Sequence, residues 1–233
     1  MTNQITATYI DHMGSDLSVV NSARVSFGKK SELQRVCKDK ELGAYKFELS
    51  ERDTKLIKYL AKHKHISPFG HAFASFHVKA PVFVARQLVK HKFLRWNEIS
   101  RRYVDDEPEF YVPDVWRGRS SDKKQGSDGV VDLPEGSLMS QYYPNYTTEE
   151  LCLEIYNELL KQGVAPEQAR MVLPQSTMTE WYWSGSLDAF ADMCNLRCKE
   201  DTQYETRLVA DQVSTIMQDL FPVSWAALMG EPQ

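Results

Sequence analysis

Residues 86–103 read RQLVKHKFLRWNEISRRY and concentrate basic side chains in a chain that is acidic as a whole. The basic residues are Arg86, Lys90, Lys92, Arg95, Arg101 and Arg102, with His91 between two lysines and Glu98 as the one acid. Because clustered cations in an acidic protein favour a bound anion, we expect a phosphate here. Asn97, Glu98 and Ser100 add groups that hydrogen-bond a base or a sugar, and Arg102 suits the phosphate. The stretch therefore predicts a nucleotide site.

Length and composition indicate a globular chain with one large domain or two small ones. The 233 residues, 42% of them hydrophobic, are enough to bury a core. The net charge of -4 and the pI near 5.9 argue against a general nucleic-acid coat protein, which would be basic. No apolar run approaches the roughly 20 residues of a membrane span, and the N-terminus lacks a signal-peptide pattern. We therefore expect a cytoplasmic protein with neither membrane nor nucleic acid as a partner.

Neither the cysteines nor the histidines form a convincing metal-binding pattern. The four cysteines contain no CxxC, and Cys194 and Cys198 have no second pair to complete a zinc site. The histidines between residues 63 and 77 lack carboxylates at ligand spacing. We expect reduced thiols and no metal, with zinc at the cysteine pair or a metal at the histidines as the alternatives.

The hydrophobic pattern predicts an α+β fold in which helices dominate, rather than a doubly wound sheet. Strands are predicted at 4–10, 72–78 and 178–185, and helices at 51–64, 81–92, 147–163, 165–174, 186–198 and 202–221. Residues 114–146 are rich in Gly, Pro, Ser, Asp and Lys and predict a surface loop or insertion. The lack of GxGxxG and GxxxxGK[ST] excludes a Rossmann turn and a P-loop.

Two arginines stand among apolar residues of helices that we expect to face the core, Arg170 and Arg197. Each needs a partner there, because a buried guanidinium is costly unless it is paired. The partner is either a carboxylate of the chain or, at a functional site, an anion or a polarised carbonyl. The sequence leaves both alternatives open.

The segment KHKFLRWNEISRRY, residues 90–103, resembles RHRxxSxNExSxRY, the signature of the flavin-dependent thymidylate synthases. HISPFGH, FHVKAPVFVARQ, EFYVP, ARMVLP and LRCKEDTQYE resemble further blocks of that family in the same order, so the likeness covers roughly residues 5–225 apart from the loop. Lys90 and Lys92 replace two arginines; they keep the charge but cannot give a bidentate fork. Arg95 stands at a usual serine, and Asp201 at a frequent histidine.

The resemblance implies one domain over residues 1–233 with the fold of the thymidylate synthase-complementing proteins, a helix-rich α+β domain with an antiparallel sheet. It implies conversion of dUMP to dTMP with 5,10-methylenetetrahydrofolate as carbon donor and release of tetrahydrofolate. FAD reduced by NADPH would supply the hydride, so no catalytic cysteine is required. The resemblance also implies a homotetramer whose active sites are shared between subunits.

The resemblance also implies roles for individual residues. Arg197 is expected to be catalytic, polarising the uracil and stabilising charge near its N3. The residues expected to bind dUMP are Gln87, Lys90, Glu98, Ile99, Ser100, Arg101 (mainly through its backbone), Arg102, Arg170 and Arg197. The residues expected to contact FAD are Ser67, Lys90, His91, Lys92, Glu98, Ser186, Asp192 and Asp201.

Two other functions remain open at this point. A nucleotide- or nucleic-acid-binding module would use the basic stretch and show strongly salt-dependent binding of oligonucleotides. A catalytically impaired homologue would keep the fold and lose turnover, for example through the lysines at 90 and 92.

Overall fold

The computed structural model describes residues 4–39, 44–104, 106–121, 126–131 and 147–230. The strands within these ranges are β1 (Thr6–Met13), β2 (Gln34–Asp39), β3 (Ala44–Glu48), β4 (Phe73–Pro81), β5 (Leu94–Glu98), β6 (Arg117–Arg119), β7 (Ser127–Val130) and β8 (Met178–Ser186). The helices are α1 (Asp16–Arg24), α2 (Glu51–Lys62), α3 (Val82–Leu88), α4 (Thr148–Lys161), α5 (Pro166–Ala169), α6 (Leu187–Arg197), α7 (Tyr204–Leu220) and α8 (Pro222–Met229). None of these helices combines the length and apolarity needed to cross a bilayer.

The central sheet is antiparallel and has the strand order β1-β4-β8-β5. The other strands form two separate pairs, β2 with β3 and β6 with β7. Helices carry more of the described chain than strands do. These observations confirm the predicted α+β class with an antiparallel sheet.

One face of the central sheet is apolar because buried residues alternate along its two middle strands. Phe76 and Val78 of β4 are buried on this face, and they pair across with Trp183 and Trp181 of β8. Phe190 of α6 packs edge-to-face on Phe76 and Trp183, with ring centroids 5.1 Å and 5.4 Å apart. The period-two pattern of the sequence thus becomes the surface on which the helices pack.

The opposite face of the sheet is polar. Ser75 and Ser184 are hydrogen-bonded across β4 and β8 with their Oγ atoms 2.8 Å apart. Two positions further, His77 Nε2 lies 3.2 Å from an oxygen of Glu180. The exposed Tyr182 lies on the same face, so the two middle strands show the alternation of a half-covered sheet.

The edge strand β5 is held in the sheet by aromatic stacking. The indole of Trp96 stacks on that of Trp181, with centroids 4.2 Å apart and planes inclined by 19°. It also meets Trp183 edge-on at 5.9 Å. Since β5 ends at Glu98, this stacking fixes the strand that leads into the NEISRRY segment.

The helix predicted over 81–92 ends at Leu88, so its last turn was predicted wrongly. The chain leaves the helix in a turn that closes at Phe93, whose φ is 65°, a left-handed value. Leu94 then pairs with Gly185 of β8, which pulls the chain back to the sheet. A Cβ at Gly185 would lie 2.4 Å from Leu94 Cδ2 and 3.1 Å from the carbonyl oxygen of Phe93, so a glycine is required for this approach.

The predicted loop over 114–146 contains regular structure where it is described. β6 and β7 pair as a short antiparallel hairpin, whose Gly- and Ser-rich strands lack the alternation that predicts a strand. Residues 122–125 and 132–146 of the predicted loop lie outside the described residues.

The last helix, α8, was not predicted. Its first turn is capped from a distance by Asp16, whose carboxylate accepts from the backbone N–H groups of Val223 at 3.0 Å and Ser224 at 2.8 Å. A cap that comes from the other end of the chain leaves no local sequence signal.

Candidate active site

A cavity of about 930 Å³, called cavity A below, opens beside α3 and is bounded by the segment 111–117, the end of α6 and the start of α7. Three residues that were predicted to bind dUMP line it: Gln87, Lys90 and Arg197. Gln87 is half-buried on α3, whereas Lys90 is exposed in the turn that follows. The fold therefore brings the end of α3 and the end of α6 to one concave surface.

Arg197, the last residue of α6, is held by a histidine. Its Nε donates a hydrogen bond to Nε2 of His91 at 3.0 Å. Burial, together with the charge of Arg197, lowers the pKa of His91 to about 4, so the imidazole is neutral near pH 7 and accepts. Burial also lowers the pKa of Arg197 from its usual value. No hydrogen bond among the described residues uses the two Nη groups of Arg197, which remain available to a ligand.

A buried carboxylate organises the wall of cavity A. Glu205 on α7 is 4% exposed and accepts from Arg117, from the Tyr111 hydroxyl at 3.5 Å and from Gln203 Nε2 at 3.2 Å. Gln203 Oε1 in turn accepts from Nε2 of Gln87. Burial and the charge of Glu205 raise the pKa of Tyr111 to about 12, so its phenol stays protonated and donates.

A second cavity of about 540 Å³, called cavity B below, lies on another face of α3. Four further residues predicted to bind dUMP line it: Glu98, Ile99, Arg101 and Arg170. Gln87 faces cavity A, whereas its neighbour Arg86 faces cavity B. The two cavities are adjacent, since Pro174 and Gln175 line both.

Several polar groups of cavity B are already engaged within the chain. Glu98 accepts from Thr179 Oγ1 at 2.7 Å and from Trp96 Nε1 at 3.1 Å. The Arg101 guanidinium donates to the carbonyl oxygen of Asp106, so it is turned to its own chain. Arg170 is exposed and donates only from Nε to the carbonyl of Glu167, at 3.3 Å, among the described residues. The expectation that Arg170 faces the core was therefore wrong.

Ser100 and Arg102 line neither cavity. They form one unit in the turn after β5, because Ser100 Oγ accepts from Nε of Arg102 at 3.1 Å. The Arg102 guanidinium also lies 4.8 Å from the ring centre of Tyr103. A hydroxyl beside an exposed guanidinium offers an anion two kinds of donor.

The part of the chain that the structure describes contains no group of three or more His, Cys, Asp or Glu placed to hold a metal ion. Cys152, Cys194 and Cys198 line neither cavity. Burial raises the pKa of the Cys194 thiol well above its usual value, which disfavours a reactive thiolate.

Comparison with known families gives a match over most of the chain. The sequence profile of the family described as thymidylate synthase complementing protein matches residues 8–223. The chain belongs to this family. The six sequence blocks and the antiparallel α+β fold described above are thus those of a thymidylate synthase complementing protein.

Curated members of the family are similar over nearly the whole of this chain. Flavin-dependent thymidylate synthases from Thermus thermophilus and Thermosipho africanus are 36% and 34% identical to it. The alignments cover 94% of this chain in both cases, and 73% and 89% of the two relatives. The corresponding enzyme of Kosmotoga olearia is 37% identical, with 94% of this chain and 88% of the relative covered.

Solved structures show the same fold. The UMP/dUMP methylase PolB from Streptomyces cacaoi, bound with 5-Br dUMP, superposes with a TM-score of 0.77 and 31% identity, covering 97% of this chain and 95% of that chain. The structure of PolB bound with 5-Br UMP gives a TM-score of 0.76 and 30% identity over 97% and 94% of the two chains.

Four of the residues that were predicted to contact FAD lie on α6, on the turn that packs against it, or just beyond its end. Ser186 is the buried N-cap residue of α6, and Asp192 lies on the helix, where burial and the neighbouring Asp188 raise its pKa. Ser67 is exposed on the short 3-10 turn that packs against α6. Asp201 lies beyond the helix, with its backbone against Gly126, the residue before β7.

Three of the four remaining predicted FAD residues lie in the turn after α3, and the fourth lies at the end of β5. Lys90 and Lys92 are exposed on either side of His91, which contacts the end of α6 through Arg197. Glu98 lies at the end of β5 and faces cavity B. Lys90, His91 and Lys92 thus lie near the C-terminal end of α6. Ser186 is at the N-terminal end of this 11-residue helix, about 16 Å away.

Sequence reasoning missed Gln203, Glu205, Tyr111 and Arg117. Gln203 and Glu205 belong to the block LRCKEDTQYE, and Tyr111 belongs to EFYVP, but none of these three residues was given a role. The sequence signal for Glu205 was an acidic residue in the first turn of an amphipathic helix. Acidic residues are common there because they interact favourably with the helix dipole, so the signal did not indicate a site. Arg117 could not be found, because it lies in the segment that was predicted to be a loop.

Proposed function

We propose that the chain is a flavin-dependent thymidylate synthase that converts dUMP to dTMP. The observation that carries the proposal is the Arg197 guanidinium, held by neutral His91 at cavity A beside Gln87 and Lys90 in a member of this family. The carbon donor is 5,10-methylenetetrahydrofolate, which leaves as tetrahydrofolate, and NADPH is the reductant of FAD.

Arg197 has the chemistry that methylation of uracil needs. Carbon 5 of uracil is a weak nucleophile until negative charge builds on the ring, and a guanidinium beside N3 and O2 lowers the cost of that charge. His91 accepts from Nε of Arg197 and fixes the plane of the guanidinium, which leaves the two Nη groups to face the ring. Arg197 is half-buried, which strengthens this electrostatic effect relative to a fully exposed guanidinium.

The turn after α3 fits part of a flavin dinucleotide. Lys90 and Lys92 offer two exposed ammonium groups for phosphates, and Phe93, 82% exposed, offers an aromatic surface to a planar ring. Asp192 and Asp188 are acceptors, so they suit hydroxyl or amino groups of the cofactor rather than its phosphates. When bound, the flavin supplies the hydride of the reaction.

A flavin as hydride source agrees with the positions of the thiols. Cys152, Cys194 and Cys198 line neither cavity, so none of these three is placed to attack a nucleotide bound there. A covalent cysteine mechanism would need a thiolate within reach of the uracil.

We also propose a homotetramer whose active sites are shared between subunits. The dUMP-binding candidates of one chain fall in cavity A, in cavity B and in the separate turn of Ser100 and Arg102. A site built from cavity A of one subunit and the Ser100 turn of another would supply a uracil-facing arginine and a phosphate-binding pair together.

UMP is a second candidate substrate. PolB, at about 30% identity, was crystallised with both 5-Br dUMP and 5-Br UMP. The two nucleotides differ only at the ribose 2′ position, so competition between them for the same protein distinguishes the two candidates.

The wider description follows from these substrates. We propose that residues 1–233 form a single domain that acts in the cytoplasm, where dUMP, NADPH and reduced folate are available. The basic residues serve small-molecule anions, and no nucleic acid or membrane is required as a partner.

Turnover by the purified protein tests the proposal. Wild-type protein with FAD, NADPH, 5,10-methylenetetrahydrofolate and dUMP is expected to form dTMP, and dUMP is expected to perturb the flavin absorbance. Arg197→Met is expected to lower kcat by about 10²-fold or more, because it removes a charge stabiliser. The matched control is Arg52→Met on α2, an exposed arginine outside both cavities, which should leave turnover unchanged.

Different failures point to different alternatives. A protein that takes up FAD and binds dUMP but forms no dTMP would be the impaired homologue. A protein that takes up no FAD and binds oligonucleotides with a steep salt dependence would be the nucleic-acid module. Replacing all four cysteines with serine should leave dTMP formation measurable, and its loss in a folded, flavin-loaded variant would favour a cysteine mechanism.

A further inference from the structure

The hydrogen bonds behind Gln87 run in one direction, because they start at an ionised carboxylate. Glu205 forms an ion pair with Arg117 and is buried on α7. An ionised carboxylate can only accept hydrogen bonds. Its neighbour Gln203, 3.2 Å away, must therefore present its amide nitrogen to Glu205.

The orientation of Gln203 then decides that of Gln87. With its nitrogen turned to Glu205, Gln203 presents its carbonyl oxygen to the side chain of Gln87. Gln87 must answer with its own nitrogen, because two carbonyl oxygens repel each other. This order of donors and acceptors follows from the charge of Glu205 alone.

The consequence is that the carbonyl oxygen of Gln87, the only acceptor of its side chain, is left for a ligand together with the second N–H of the amide. No hydrogen bond among the described residues uses Oε1 of Gln87, and the side chain lines cavity A. The side of cavity A at Gln87 thus offers an acceptor, whereas Arg197 and Lys90 of the same cavity offer only donors.

We infer that Gln203 and Glu205 are positioning residues that keep the carbonyl oxygen of Gln87 turned away from Gln203, so that this oxygen selects a hydrogen-bond donor of the nucleotide. The inference rests on the proposed binding of dUMP in cavity A. Apart from its phosphate, dUMP has two donors, the N3–H of uracil and the 3′-hydroxyl. A nucleotide that lacks the donor facing Gln87 leaves a carbonyl oxygen unpaired, which costs affinity.

Binding of three nucleotides to two proteins tests this inference. Dissociation constants are measured by flavin absorbance for dUMP, for N3-methyl-dUMP, which has a methyl group in place of the N3 hydrogen, and for 2′,3′-dideoxy-UMP, which lacks the 3′-hydroxyl. We expect one analogue to bind wild type about tenfold more weakly than dUMP. In Gln203→Met the amide of Gln87 can turn, so the same analogue should bind within about threefold of dUMP.

A second variant and a control make the result decisive. Glu205→Gln keeps the shape of the side chain but can present an amide N–H to Gln203. Gln203 and Gln87 can then turn, so this variant should also reduce the loss of affinity for the analogue. The control is Gln162→Met. Gln162 is a comparable glutamine at the exposed end of α4, where it donates to Glu158 at 2.9 Å. This variant should bind the analogue as weakly, relative to dUMP, as wild type does. If Glu205→Gln does not fold, Gln203→Met alone tests the inference, because Gln203 is only half-buried.

The outcomes separate this inference from the proposed function. Wild-type protein that does not bind dUMP would refute the proposed function on which the inference rests. Wild-type protein that binds dUMP and both analogues equally would overturn only the inference. A tenfold penalty that persists in Gln203→Met would overturn it as well, because the acceptor role of Gln87 would then not depend on the residues behind it.

Discussion

At the scale of single residues, the charge that the site offers to a ligand depends on which group each charged side chain contacts. Arg197 was expected to meet either a carboxylate or a ligand, and within its own chain it meets the uncharged ring of His91. A carboxylate would neutralise the guanidinium, whereas a neutral imidazole orients it and leaves its charge free. Sequence could identify Arg197 as the residue to watch, but not His91 as its support.

The neutrality of His91 makes stability depend on pH in a defined window. Its pKa is about 4 in the folded chain against about 6.5 when unfolded, so the unfolded state takes up the proton first as pH falls. The stabilisation is therefore present above pH 6.5 and is lost as pH falls from 6.5 towards 4. Between pH 7.5 and pH 5, we expect the Tm of His91→Gln to fall by about 2–4 °C less than the Tm of wild type.

Thermal unfolding at the two pH values measures this difference. Other titrating groups change Tm in both proteins, so only the difference between them reports His91. Equal losses of Tm in wild type and His91→Gln would show that the ring protonates as easily in the folded chain as in the unfolded one.

At the scale of elements, the turn between α3 and β5 depends on the absence of a side chain in the neighbouring strand. We expect Gly185→Ala to destabilise the fold by about 1–3 kcal/mol, because β5 must move away from β8 to accommodate the added methyl. The same movement displaces the turn with His91 and Lys92, so the affinity for FAD should fall. Denaturant unfolding and flavin titration measure the two effects.

A second change should partly reverse the first. The shortest contact of the added Cβ is with the Leu94 side chain, at 2.4 Å, so Gly185→Ala with Leu94→Ala should lose less stability than the sum of the two single variants. Additive losses would mean that the backbone contact with Phe93 at 3.1 Å, rather than the side chain, sets the limit.

The junction of α1 with α2 is held by the buried carboxylate of Asp53. Burial alone would raise its pKa, but hydrogen bonds from Ser50, Arg24 and Ser31 outweigh burial and lower it. We expect Asp53→Asn to cost about 1.5–3 kcal/mol at pH 7. Because the folded pKa is depressed, wild type should keep this advantage until the pH falls below the ordinary value near 3.8.

Urea unfolding at pH 7 measures the loss, with Glu51→Gln as the matched control. Glu51 lies on the same turn of α2 but pairs only loosely with Lys55, at 3.8 Å, with both side chains exposed. Its replacement should change the free energy of unfolding by less than about 0.5 kcal/mol. A similar loss in both variants would assign the effect to the charge of the helix end and not to the buried network.

Elements with a clear period were predictable, and elements defined by distant partners were not. The alternation in β4 and β8 and the amphipathic faces of α2 and α7 gave the correct type of structure. α3 ended early because a glycine about a hundred residues away draws the chain to the sheet, and no local window contains that information. The hairpin of β6 and β7 was missed for a related reason, since its strands have no apolar alternation.

At the scale of the whole molecule, the arrangement of cavities leads to a test of shared sites. Arg197→Met and Arg102→Ala remove groups that we assign to different subunits of one site. If the two inactive variants are mixed and their subunits exchange at random, both intact halves meet in about a quarter of the sites. We expect the mixture to recover up to about that share of wild-type turnover.

Light scattering and native mass spectrometry show whether tetramers form and whether subunits exchange. The control is a mixture of Arg197→Met with Arg197→Lys, in which no wild-type site can arise. A stable, active monomer, or an exchanged mixture without activity, would contradict the sharing of sites.

The candidate site could be predicted in its chemistry but not in its arrangement. The motif RQLVKHKFLRWNEISRRY indicated a nucleotide, and the resemblance assigned residues to it. The sequence could not show that Gln87 and Glu98 line different cavities, because the two cavities are separated only by the packing around α3. It also could not show that Arg101 turns back to its own chain.

The stacked indoles of Trp96 and Trp181 give the chain an optical reporter. Two indoles 4.2 Å apart and nearly parallel can couple their strong electronic transitions, which produces a paired signal in far-ultraviolet circular dichroism. One partner lies on β5, the strand that ends at Glu98, and the other on the central strand β8. Detachment of β5 would therefore extinguish the signal while the helices stay intact, so the strand leading to the nucleotide can be followed without any label.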